Sequence, residues 1–126
     1  MALDPNYARP YLGLGWIQWQ EARYGWVESP KESIKMAYEF AQKAINLDDN
    51  LDDAHLLLGS IYILQRQHDK AIEQIERAVA NSPNSGHYNS FLAGWLGLAG
   101  RWQEGISYAE MSIRLSPYPP SWTNNP

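Results

Sequence analysis

One segment of this sequence begins like a metal site. The acidic run Asp48-Asp49-Asn50-Leu51-Asp52-Asp53 matches the first positions of a calcium-binding loop. The match then fails, because Asp53 occupies the position of the loop's glycine and Gly59 occupies that of its bidentate glutamate. We therefore predict that this run is a solvated loop and helix N-cap, where carboxylates are favoured.

The other candidate groups for catalysis also lack the required spacing. His55, His68 and His87 have no partner at the i,i+4 spacing of a helical metal site, so we expect packing or surface roles for them. The segment Gly13-Leu14-Gly15 lacks the third glycine and the preceding strand of a dinucleotide site. The chain has no cysteine, which excludes disulfides and thiolate chemistry. We expect a protein without catalytic activity, cofactor or metal.

Composition limits the size of the fold and the class of partner. With 126 residues, 44% of them hydrophobic, the chain can bury one core but not two. Its net charge is −4 and its ten Lys and Arg residues are scattered, which argues against nucleic acid and anionic membranes as partners. There is no signal peptide and no apolar run of roughly 20 residues, so we expect a cytoplasmic protein.

The second half of the sequence repeats itself at an offset of 34 residues. Leu58 aligns with Leu92, Ile72 with Ile106, and Pro83 with Pro117, while small residues align with small ones elsewhere. The better copy contains, in order, His55, Leu58, Gly59, Tyr62, Ala71, Ile75, Ala78 and Pro83. This order resembles the pattern W-x2-L-G-x2-Y, A-x3-F, P of the tetratricopeptide repeat family.

The resemblance implies an all-α fold, a right-handed solenoid of three antiparallel helix pairs. We predict helices near residues 7–24, 30–47, 52–65, 68–81, 85–98 and 102–115. They form a single domain over 1–126, with repeat one at about 7–47, an insertion near 21–29, repeat two at about 52–83, repeat three at about 85–117, and an extended tail at 118–126. We expect the insertion to lengthen the first helix by about two turns, and Gly59 to admit its paired helix.

The family resemblance also implies a binding surface, because the first helix of each pair lines a concave groove. The corresponding positions here are Arg9, Leu12, Trp16, Trp19, Asp53, Leu56, Ser60, Ile63, His87, Ser90, Phe91 and Gly94. Arg9 is the only cation among them, which argues against a clamp for a C-terminal carboxylate. The apolar lining favours an amphipathic helix or apolar peptide, with the tryptophans as binding hot spots.

Two features of this surface have alternative interpretations. Trp16 and Trp19 either line the groove or pack beneath the insertion without facing a ligand. Gly94, Gly97 and Gly100 stand three apart on one predicted helix, and each glycine costs about 1 kcal/mol relative to alanine. Such a cost suggests close approach of another group, which is either the neighbouring helix or a bound segment.

These observations favour a scaffold that binds a protein or peptide, as a fragment of a larger, signalling protein. The segment Leu3-Asp4-Pro5-Asn6 resembles the ending of a preceding repeat. The alternative is self-assembly into a homo-oligomer through the C-terminal edge, where the aromatic residues are Trp102, Tyr108, Tyr118 and Trp122. The long aromatic first helix also resembles repeat segments of bacterial adenylate cyclases and related regulators, which implies a regulatory arm.

Overall fold

The computed structural model describes residues 8–25 and 28–115, and this part of the chain consists of helices joined by short turns, without strands. The six helices are α1 (Ala8–Tyr24), α2 (Pro30–Leu47), α3 (Asp52–Leu64), α4 (His68–Asn81), α5 (Gly86–Leu98) and α6 (Trp102–Leu115). These bounds agree with the predicted helices to within one residue. The helices pack as three successive pairs, α1 with α2, α3 with α4, and α5 with α6. None of the described helices is both long enough and apolar enough to cross a membrane.

Small and branched residues at helical spacing form the contact between the helices. The fully buried positions of the second helices are Ala37, Ala41 and Ala44 in α2, and Ala71, Ile75 and Ala78 in α4. Because alanine adds only a methyl group, these helices can approach their neighbours closely while still removing apolar surface from water. In each helix these three residues recur at i, i+4 and i+7, which places them on one face of the helix.

Gly59 makes room for two neighbours at once. A Cβ atom at this position would lie 3.2 Å from the Ala71 carbonyl oxygen of the paired helix α4, as the sequence suggested. The closest group, however, is the Trp95 ring from α5 in the next pair, at 2.7 Å. Gly59 therefore serves the packing between successive pairs as well as the packing within its own pair.

The extra residues of the first pair are divided between its two helices. Helix α1 has 17 residues and α2 has 18, whereas α3 has 13 and α4 has 14. Each helix of the first pair is thus about one turn longer than its counterpart. This differs from the expected extension of about two turns in the first helix alone, because the start of α2 at Pro30 leaves room for another turn ahead of Ala37.

The turns inside the second and third pairs have the same geometry. Arg66 has a φ of 59° and Gly100, 34 residues later, a φ of 82°, so both lie in the left-handed region. In each turn the following residue donates its N–H back into the helix, Gln67 to the Tyr62 carbonyl at 2.9 Å and Arg101 to the Leu96 carbonyl at 2.8 Å. This is the Schellman ending of a helix. Gly100 therefore lies beyond α5 and not on one helix with Gly94 and Gly97.

The acidic run lies between the first two pairs and is bonded to the second pair. Leu51, and not an aspartate, is the N-cap of α3, while Asp52 and Asp53 lie in its first turn. Arg77 of α4 donates to the Asp49 carboxylate at 2.7 Å. This hydrogen bond lowers the pKa of Asp49 below its ordinary value. The predicted N-cap role is thus wrong for these side chains, although Asp52 and Asp53 do lie where the helix dipole favours them.

Candidate peptide-binding groove

The twelve predicted groove positions lie on α1, α3 and α5, and they differ in exposure. The exposed residues are Arg9, His87, Ser90 and Gly94. Trp16, Trp19, Asp53, Ile63 and Phe91 are half-buried. The remaining three, Leu12, Leu56 and Ser60, are buried. Nine of the twelve positions therefore contribute surface that a ligand could touch.

Two of the three buried positions belong to the apolar core beneath the groove, and the third, Ser60, is a buried polar residue. Leu12 is part of the cluster between the first and second pairs, and Leu56 is part of the cluster between the second and third pairs. Their side chains have already lost their contact with water, so a ligand gains little by approaching them. These three predicted positions therefore offer almost no surface to a ligand.

Trp16 and Trp19 are fixed between the first and second helix pairs. The Trp19 indole Nε1–H donates to the Ser60 carbonyl oxygen of α3 at 2.9 Å. The two rings meet edge to face, with centroids 5.5 Å apart, and Trp16 packs against both core clusters. The Arg23 guanidinium, from the insertion, also lies 5.3 Å from the Trp19 ring centroid. Trp19 therefore contacts α3 and the insertion, and both rings keep part of their surface exposed.

A polar contact joins all three pairs at the N-terminal ends of α1, α3 and α5. The Tyr88 hydroxyl donates to Asp53 Oδ1 at 2.6 Å, and Arg9 Nη1 lies 4.0 Å from Asp53 Oδ2. Burial, followed by this hydrogen bond, raises the pKa of Tyr88. Sequence reasoning missed Tyr88, because it is outside the groove positions implied by the family pattern. Its position directly after the predicted groove residue His87 is a signal that could have indicated it.

Aromatic rings line the α5 side of the groove. The centroids of His87 and Phe91 are 5.0 Å apart, and those of Phe91 and Trp95 are 5.7 Å apart. Both pairs are edge to face, an arrangement that favours aromatic contact. Beyond them, a Cβ atom added at Gly94 would meet nothing within 4 Å, whereas one at Gly97 would lie 3.2 Å from the Trp102 ring. Gly97 thus packs against the neighbouring helix, and Gly94 faces open space.

The titratable groups near the groove have structural partners. His55 is buried, and its ring nitrogens lie 2.8 Å from Gln74 Oε1 and 3.0 Å from the Asp49 carbonyl oxygen. This arrangement gives His55 a packing role. Within the described ranges, the structure brings together no group of three His, Cys, Asp or Glu side chains that could hold a metal ion.

Comparison with known proteins identifies the repeat. The sequence model described as tetratricopeptide repeat matches residues 52–85, which cover α3, α4 and the turn that follows. These residues form a tetratricopeptide repeat. The resemblance to this family drawn from the sequence is thus confirmed for these residues. Among curated proteins, no sequence matches the chain.

Two solved structures share the fold. The crystal structure of MamA has a TM-score of 0.71 and 24% sequence identity, with 90% of this chain and 60% of that one covered. The structure of a thermophilic TPR protein from Thermus thermophilus has a TM-score of 0.80 and 23% identity, with 90% and 58% covered. The chain thus spans about three-fifths of each. Together they establish the tetratricopeptide-like right-handed solenoid. Neither supports the resemblance to cyclase-type regulators.

Proposed function

We propose that this chain is a non-catalytic scaffold that binds a peptide or protein in the groove formed by α1, α3 and α5. The proposal rests on the half-buried aromatic and aliphatic side chains along this face. The hydrogen bonds of Trp19 to Ser60 and of Tyr88 to Asp53 hold the three helices in register. A groove positioned in advance loses less conformational entropy when a ligand binds.

The chemistry of the groove favours a ligand with an apolar face. Of the predicted groove residues, Arg9 is the one cation, and it already lies 4.0 Å from the Asp53 carboxylate. A ligand carboxylate would therefore compete with Asp53 for this guanidinium. Trp16, Trp19 and Phe91 instead offer partly exposed rings, which suit the apolar side chains of an amphipathic helix.

A charge placed in the groove tests this proposal. Short random peptides displayed on phage are selected for binding to the wild-type chain, and their affinities are then measured for two variants. In Ser90→Arg, an exposed groove residue on α5 gains a cation. In Ser107→Arg, an exposed serine on α6 receives the same change outside the groove. Because an apolar ligand would have to desolvate the new guanidinium, we expect roughly tenfold weaker binding for Ser90→Arg alone.

The control separates groove binding from nonspecific binding. Both serines are exposed, so helicity measured by circular dichroism should remain at the wild-type level in both variants. Equal affinity of the selected peptides for both variants and the wild type would reject the groove as their binding site.

A second candidate function is self-assembly, which is favoured by an apolar surface at the α5–α6 end of the solenoid. An open cavity of about 410 Å3 lies on the surface of this pair and is lined by residues of both helices. Leu98, Trp102 and Ile106 line this cavity and are exposed. Tyr108 does not contribute as expected, since it is half-buried against the core. Tyr118 and Trp122, which were also expected here, lie outside the described residues.

A further inference from the structure

The apolar cavity between α5 and α6 has the composition of a packing surface between helices. Five of its eight lining residues are Gly or Ala, and the other three are large and apolar. The lining residues are Ala93, Gly94, Gly97, Leu98, Trp102, Gly105, Ile106 and Ala109. None of them carries a charge, so a second helix could pack here without burying an unpaired ion.

The 34-residue repeat shows what covers the equivalent surface one pair earlier. Ile72 and Ile106 occupy equivalent positions, yet Ile72 is 2% exposed and Ile106 is 57% exposed. The difference arises because α5 packs over the second pair, where its Trp95 ring fills the space above Gly59. Over the third pair, no described helix occupies that place. The α5–α6 face is therefore a pair-to-pair packing surface that the described residues leave open.

Helix α1 presents the complementary surface at the other end of the solenoid. In the repeat pattern, Gly15 of α1 is equivalent to Gly59 of α3 and Ala93 of α5. On this alignment, Leu14 and Ile17 correspond to Leu92 and Trp95, the residues with which α5 covers the second pair. Leu14 and Ile17 are exposed in α1, and Ile17 reaches 52%. Gly13 beside them faces open space.

We propose that the α5–α6 face binds α1 of a second copy of this chain, head to tail. This inference rests on the self-assembly candidate above and names its two surfaces. The chain carries both halves of a contact that it already makes internally, between α3–α4 and α5. Since the two faces differ, a bound pair of copies leaves one α1 face and one α5–α6 face free, and association is open-ended.

Two single substitutions on opposite faces test the arrangement. In Ile17→Asp, the α1 face gains a charge while the α5–α6 face stays intact. In Ile106→Asp, the α5–α6 face gains a charge while the α1 face stays intact. Met111→Asp is the matched control, because Met111 is an exposed apolar residue of α6 that does not line the cavity. Masses are measured by sedimentation velocity over a range of concentrations, with circular dichroism to confirm helicity.

We expect the average mass of the wild type and of Met111→Asp to rise with concentration without reaching a plateau. Ile17→Asp alone and Ile106→Asp alone should each be monomeric. An equimolar mixture should form a dimer, since the intact α5–α6 face of Ile17→Asp meets the intact α1 face of Ile106→Asp. In both variants the altered side chain is exposed, so their fold should be preserved.

Other outcomes would reject the inference at different points. A dimer of Ile17→Asp alone would show that the α5–α6 face pairs with itself, which keeps self-assembly and overturns the head-to-tail contact. A mixture that stays monomeric would also overturn it. A wild type that is monomeric at every concentration would remove self-assembly as well. Peptide binding in the groove is measured separately, so none of these results bears on it.

Discussion

Single side chains connect successive helix pairs through residues that are far apart in sequence. The hydroxyl of Tyr88 reaches Asp53 across 35 residues, and the indole of Trp19 reaches the Ser60 carbonyl across 41. Each bond joins the first helix of one pair to the first helix of the next. Polar contacts between the first helices therefore hold successive pairs together, in addition to the apolar core beneath the groove.

Replacing Tyr88 with phenylalanine should weaken the contact between the second and third pairs. The substitution keeps the ring but removes the hydrogen bond to a carboxylate, which leaves Asp53 with Arg9 at 4.0 Å. We expect the free energy of unfolding to fall by about 1 kcal/mol, since both partners are only half-buried. Urea denaturation followed by circular dichroism at neutral pH measures this change. A variant as stable as the wild type would show that the bond contributes nothing to the fold.

The comparison of the wild type with Tyr88→Phe also gives a prediction for alkaline pH. Burial and the Asp53 hydrogen bond raise the pKa of Tyr88 above its ordinary value of 10.0. A group of raised pKa stabilises the folded state while it is protonated, so this contribution is complete below about pH 10 and is lost above it. The stability difference between wild type and Tyr88→Phe should therefore narrow above about pH 10. Burial also raises the pKa of Tyr62, but Tyr62 is present in both proteins, so its contribution cancels in the stability difference.

At the scale of the helix, glycine has opposite consequences in α3 and α5. Gly59 and Gly94 both lie inside helices, where alanine is intrinsically favoured by about 1 kcal/mol. Only Gly59 has close neighbours, since an added Cβ atom would lie 2.7 Å from the Trp95 ring. The space above each helix therefore decides the effect of adding a methyl group.

We expect Gly59→Ala to destabilise the fold and Gly94→Ala to stabilise it. The first change forces apart the Trp95 ring and the Ala71 carbonyl, at a cost of about 1–3 kcal/mol. The second change gains up to about 1 kcal/mol, because it adds helix propensity without a clash. Thermal or urea denaturation of the two variants measures both. Stabilisation by Gly59→Ala would show that α5 can move away from α3 at no cost.

At the scale of the whole molecule, position along the solenoid decides the role of a residue. Ile72 and Ile106 have the same place in the repeat, but one is covered by the following pair and the other is exposed. Stability in such a fold is the sum of each repeat and its contacts with its neighbours. The last described pair therefore lacks one of the two interfaces that the middle pair has.

Truncating each isoleucine should reveal this difference. Ile72→Ala leaves a cavity between the second and third pairs, and we expect a loss of about 2–5 kcal/mol. Ile106→Ala removes an exposed side chain, and we expect a change within about 0.5 kcal/mol. Urea denaturation in dilute solution, where association is minimal, compares them. Equal losses would mean that Ile106 is covered in solution.

The sequence by itself determined the helices and the repeat. Helix bounds are local properties, since Pro30, the serine at 85 and the Gly100 turn act within a few residues of their own position. Equivalents of Leu58, Gly59 and Ala71 recur 34 residues later as Leu92, Ala93 and Gly105, and this recurrence indicated which helices pair. These signals survive in one sequence because each depends on backbone preferences or on the size of a single side chain.

Only the tertiary structure decided which groove residues are accessible. Leu56 and Ser60 occupy groove positions in the pattern, yet they are buried, and Trp19 from another pair bonds to the Ser60 backbone. The tertiary structure also showed that Trp95 is the closest neighbour of Gly59, and that Ile106 is exposed while Ile72 is not. Burial depends on side chains that lie one or more repeats away, and their directions are fixed only when the pairs stack.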